Sequence, residues 1–133
     1  MREILFRGKR TINGDWVYGD FVHGNERKSL RDSIFVYDSE TQSFNDYEIS
    51  PSTLGQYTGL TDKNGNRIFE GDVAKVLQGK DKDIAYVGFE NGAFMLYPKT
   101  GNIYERTLQS YWYNDWDVEV IGNITDNPEL LEK

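Results

Sequence analysis

Three acidic side chains, Asp115, Asp117 and Glu119, alternate along a stretch of the chain that reads as a strand. A period of two places them on one face. Such a face could hold a divalent cation through oxygen ligands or host the acid and base pair of a carboxylate-based hydrolase. The plainer reading is a solvent face, opposite a core face of Trp116, Val118 and Val120, and base rates of exposed charge favour it. No metal or other cofactor is therefore expected. His23 is the single histidine and lies in a turn flanked by Gly and Asn. A serine triad or a histidine zinc site would need it, yet no nucleophile elbow or HExxH spacing accompanies it, so it reads as a loop residue. The absence of cysteine removes disulfides, thiolate zinc sites and cysteine nucleophiles together. The glycines form no phosphate cradle of the P-loop or dinucleotide type.

The best candidate for a working surface is aromatic: Tyr111, Trp112, Tyr113 and Trp116. Strand alternation would send Tyr111 and Tyr113 one way and Trp112 the other, so part of the cluster would point away from any single core. Exposed Trp and Tyr suit protein interfaces, and contact between subunits is the expected use. Core packing of the cluster is the competing reading.

Charge narrows the partners. The 133 residues carry 22 acids and 15 bases, a net charge of −7. Phosphate backbones reward the opposite balance, which disfavours nucleic acid as a partner and leaves imitation of DNA as an alternative use of the acidic surface. The local basic cluster of Arg2, Arg7, Lys9 and Arg10 reads as a solvated strand end. No apolar run approaches the ~18 residues of a membrane helix, and residues 1–10 lack the apolar stretch of a signal peptide. The expectation is a cytoplasmic protein.

The elements that would position these residues are short strands. Phe6, Gly8, Asn13, Gly14, Val17 and Tyr18 align without gaps on Tyr57, Gly59, Asn64, Gly65, Ile68 and Phe69. Each copy reads as a β-hairpin whose Asn and Gly pair supplies the positive φ angles of a tight turn. Duplication and coincidence both account for the match. Further strands are expected over 2–8, 15–22, 33–38, 46–49, 53–59, 67–78, 83–90, 93–98, 102–108 and 118–121. Asn91 and Gly92 make a two-residue hairpin turn. Glu70, Gly71 and Asp72 form a corner in which Gly71 tolerates a left-handed backbone and Asp72 accepts backbone N–H groups. Asp126 or Asn127 caps a short carboxy-terminal helix opened by Pro128, which buries Leu130 or Leu131. The pattern predicts a mainly β fold of antiparallel strands, closed into a small barrel or roll, with a sandwich as the alternative. One compact domain spans 1–133, and the break at Pro51 divides it into sub-lobes 1–50 and 51–133.

Three segments, REILFRGKRTINGDWVYGDFV from Arg2, GQYTGLTDKNGNRIFEGDV from Gly55 and DVEVIGNITDNPELLE from Asp117, resemble the YopX-like family of small bacteriophage and prophage proteins. The resemblance covers nearly the whole chain, with residues 23–48 matching least. It implies an SH3-like β barrel or roll, a phage or prophage origin and self-association. It implies no activity. The reading is a noncatalytic accessory protein that forms homo-oligomers and binds a host or phage protein.

Overall fold

The computed structural model describes residues 2–25, 31–113 and 116–132. They form two compact units, Met1–Tyr57 and Thr58–Lys133, whose boundary falls inside a strand. Both are built from antiparallel strands, and the mainly β class read from the turn pattern holds.

In the amino-terminal unit, β1 (Phe6–Lys9), β2 (Trp16–Val22), β3 (Ser33–Asp38), β4 (Ser43–Glu48) and β5 (Gly55–Thr61) are ordered β4-β3-β2-β1-β5. Strand β3 occupies the expected span because its apolar run pairs on both sides, with β2 through Phe21↔Ile34 and with β4 through Ile34↔Tyr47. Strand β4 begins three residues earlier than expected. Its ladder with β3 continues to Asp38↔Ser43, up to a turn in which Gln42 takes a positive φ of 54°. Pro51 opens a 3-10 turn, Pro51–Thr53, and the Thr53 hydroxyl accepts the Lys9 N–H at 2.8 Å. Ile34 and Ile49 are fully buried. The basic cluster departs from the solvated strand end expected of it. Arg7 is 7% exposed and lies 4.7 Å over the Trp16 ring, while Arg10 lies 4.4 Å over Tyr47. A guanidinium is weakly hydrated and packs on an aromatic face at little cost.

In the carboxy-terminal unit, β5 leads through a turn at 62–66 to β6 (Arg67–Phe69). A five-stranded sheet follows, ordered β10-β9-β8-β7-β11, from β7 (Asp72–Gln78), β8 (Asp81–Glu90), β9 (Ala93–Pro98), β10 (Arg106–Thr107) and β11 (Asp117–Asn123). It is an open order with β10 and β11 at its edges. The closed barrel inferred from strand count is not formed by these ladders. Ala74, Val76, Ala85, Val87, Leu96 and Val118 project from one face of the sheet and pack with Ile68, Ile103, Leu108 and Tyr111 into the core. Asn91 and Gly92, at φ 51° and 80°, make the expected hairpin turn between Glu90 and Ala93.

Two expected strands break. The span 67–78 divides at Glu70 and Gly71, because Gly71 takes φ 93° and turns the chain. The span 102–108 keeps only β10 and then enters a helix, α1 (Leu108–Tyr113). The Thr107 hydroxyl accepts the Ser110 N–H at 3.2 Å, which is the N-cap geometry that starts a helical turn. At the far end Pro128 opens a 3-10 turn, Pro128–Leu131. Asn127 does not cap it through its side chain. Its carboxamide oxygen accepts the Asn123 N–H at 3.2 Å instead, and Leu130 and Leu131 are only half-buried.

Candidate functional site

Of the aromatic cluster, Tyr111 and Trp116 do not form the exposed surface that strand alternation suggested. Helix α1 places Leu108 and Tyr111 on one face, three residues apart, and both are buried in the core. The Tyr111 hydroxyl donates to the Tyr104 carbonyl, and its ring meets Trp116 edge-on at 4.7 Å. Burial pushes the Tyr111 phenol up to about 12, with Asp83 adding to the rise and Arg106 opposing it. Tyr111 is thus a core residue, and Trp116, half-buried beside it with Arg106 over its ring at 5.4 Å, is core rim. The side chains of Trp112 and Tyr113, also expected in the cluster, lie outside the described residues.

The acidic strand does not gather a cation site among the described residues. Asp117 is exposed and Glu119 is tied down, 3.7 Å from the Lys63 ammonium and accepting from the Asn64 carboxamide at 3.2 Å. Asp115 lies outside the described residues. Among those residues no three His, Cys, Asp or Glu side chains converge. The carboxylates with structural weight are two that the sequence reading passed over. Asp62, 6% exposed, accepts the N–H groups of Asn64, Asn66 and Val120, each at 2.9 Å. Asp83, 5% exposed, accepts from the N–H groups of Ile84, Thr100 and Asn102 and from the Thr100 hydroxyl. Burial alone would raise both pKa values, but these donors together hold each carboxyl below its ordinary value. The Asx turn that Asp62 makes with Asn64 was legible as D-x-N-x-N, whereas its bond to Val120 has no local signature.

The turn residues take up positions of a structural kind. The Asp72 carboxylate accepts the Phe69 N–H at 2.7 Å across the corner at Glu70 and Gly71. Gly71 donates to the Val87 carbonyl and accepts from Ile124, both at 2.8 Å. In the paired hairpins only the glycines, Gly14 at φ 74° and Gly65 at φ 82°, are left-handed. Asn13 and Asn64 are not, contrary to the tight-turn reading. Their loops are longer than two residues, closed by Arg10 N–H to Asp15 and by Asp62 N–H to Asn66. Asn13 works through its side chain, accepting the Asp15 N–H at 3.0 Å. His23 is exposed and its Nδ1 sits 3.0 Å from Asp32.

An exposed aromatic surface lies on the amino-terminal sheet. The pairs Asp20↔Phe35 and Tyr37↔Phe44 put these residues on one face, and Tyr18 joins them two residues before Asp20. Tyr18 is 46% exposed, Tyr37 55% and Phe44 58%, and the Tyr37 and Phe44 rings meet at a tilt of 59° with centroids 5.2 Å apart. Asp20, Asp46 and Glu48, all exposed, occupy neighbouring positions on the same face. Strand β4 ends the sheet order there. The sequence did carry a signal for this surface: in SFNDYE, aromatics fall among acids and amides with no aliphatic residue to mark a buried face.

Against known families, the model described as YopX protein matches residues 5–132. The chain belongs to the YopX family. Its family match takes in both units and the aromatic hairpin alike. A solved structure, the crystal structure of protein EF1440 from Enterococcus faecalis, is similar in fold at a TM-score of 0.57 and 24% identity. The likeness covers 99% of this chain and 100% of that one. Among curated proteins, none matches the chain. No helix among the described residues of this YopX family member is long and apolar enough to cross a membrane.

Proposed function

We propose that this YopX family member is a noncatalytic accessory protein of a phage or prophage, acting in the cytoplasm of the bacterial host. It associates with itself and docks a host or phage protein through the aromatic face of β2, β3 and β4. The observation that carries this reading is the exposure of Tyr18, Tyr37 and Phe44 together beside an edge strand. Large aromatics stranded in water on one face favour burial against a partner, because they bring area at low entropic cost. The flanking Asp20, Asp46 and Glu48 suit a partner surface that carries basic groups. Glu119 is already engaged by Lys63 and Asn64, which favours a binding role over hydrolysis at that strand.

The test is light scattering of the parent and of a Tyr37→Ser, Phe44→Ser double variant, with circular dichroism as the control for folding. The expected result is a lower mass for a folded variant and weaker capture of any protein the parent retains. Equal masses and equal capture would overturn the reading.

A further inference from the structure

We propose that the outer face of the five-stranded sheet carries a binding site for a small, multiply charged phosphate-type anion, built on Lys75, Lys82 and Lys99. The three lysines surround one apolar residue. Lys75 on β7 stands directly opposite Ile84 on β8. On the other side of β8, the Lys99 N–H donates to the Ile84 carbonyl at 2.7 Å, continuing the register of Ala85↔Pro98 by one residue. Lys82 precedes Ile84 by two positions and shares its face. Together with Thr100 and Asn102 they line a cavity of about 360 Å³.

This grouping runs against the chain's composition. A protein with 22 acids and 15 bases offers carboxylates in surplus, yet three lysines line this one cavity. Among the described residues none of the three forms an ion pair, whereas Lys63 and Arg31 each pair with a glutamate. Like charges on one lining repel, and a bound anion offsets that repulsion. The one carboxylate in the lining is Asp83. Its oxygens are occupied by Ile84, Thr100 and Asn102, and it projects to the core side with Ala85 and Val87. Asp83 therefore fixes the turn after Lys99. Lys99 is also positioned from the far side, since its ammonium donates to the Leu130 carbonyl at 3.3 Å.

Size and field decide the class of ligand. The volume is at the low end of the range for small-molecule pockets, about 300–1,000 Å³. A long phosphate backbone would need many more lysines and would meet the repulsion of a net charge of −7. A compact anion such as a diphosphate or a phosphorylated metabolite gains the local attraction and avoids most of the long-range penalty.

The experiment is calorimetric titration of the full chain with inorganic pyrophosphate at constant ionic strength, alongside a single-stranded oligonucleotide. Saturable binding of pyrophosphate is expected, weakened about tenfold or more by Lys75→Gln with Lys82→Gln and unchanged by Lys63→Gln. All three positions are on the surface, and circular dichroism checks that the variants fold. No saturable binding, or binding indifferent to the double substitution, would overturn the site. Tighter binding of the oligonucleotide than of pyrophosphate, lost in the same double variant, would overturn the small-ligand assignment.

Discussion

The carboxylate of Asp62 accepts the backbone N–H of Val120 at 2.9 Å across 58 residues of sequence. One side chain thereby fastens the turn after β5 to edge strand β11. Substitution of Asp62 by Ala should destabilise the protein by about 1–3 kcal/mol, since three part-buried N–H groups would lose a charged acceptor. Asp62→Asn keeps one acceptor oxygen and should cost less. Urea melts of the three proteins measure both, and coincident midpoints would remove Asp62 from the structural account.

Acid should act through Asp62 and Asp83. Both are held below their ordinary value of 3.8 in the folded chain. Their contribution to stability is therefore fully present above that value and is lost as pH falls through the lowered ones. Thermal melts should be flat in this respect from neutrality to about pH 4 and decline below it. A variant carrying Asp62→Asn and Asp83→Asn should lose stability at neutral pH and show a shallower acid limb.

Alkali should act in the opposite sense. The Tyr111 phenol is raised by burial to about 12, and Tyr97 is raised to about 12 by desolvation and by its hydrogen bond to Glu90. Stability linked to these groups is present below their unfolded value of 10.0 and declines as pH rises from there toward 12. Ultraviolet titration of the folded protein should show Tyr97 and Tyr111 ionising late. Tyr111→Phe should remove one of them at a cost of about 1 kcal/mol, the value of its bond to the Tyr104 carbonyl.

At the corner before β7, Gly71→Val should cost about 2 kcal/mol or more, because φ 93° crowds a β-branched side chain against its own backbone. Chemical denaturation decides the matter. An unchanged midpoint would mean that the corner relaxes.

Much of the fold was legible because turn chemistry is local. Asn91 with Gly92, the corner at Gly71 and the apolar run of β3 each announce themselves within a few residues. Helix α1 was not legible, since six residues give too little periodicity to separate a helix from a strand, and Thr107 was its only start signal. Strand alternation applied to that helix also misplaces Tyr111. Tyr111 was assigned by alternation and is buried by helical spacing, while Tyr37 and Phe44 gained their exposure from a ladder formed at the edge of a sheet. The lysine cavity was hidden for the same reason: residues 75, 82, 84 and 99 become neighbours only through cross-strand register.

The two aligned hairpins hold one more lesson in Gly8 and Gly59. At Gly8 a methyl group would come within 2.6 Å of the Ile49 side chain, so crowding requires the smallest residue there. Around Gly59 nothing lies within 4 Å, but φ is 88°, so torsion requires it instead. A one-letter match can thus join positions that need glycine for unrelated reasons: an L-alanine at residue 8 would fail by contact with Ile49, and one at residue 59 by its own torsion.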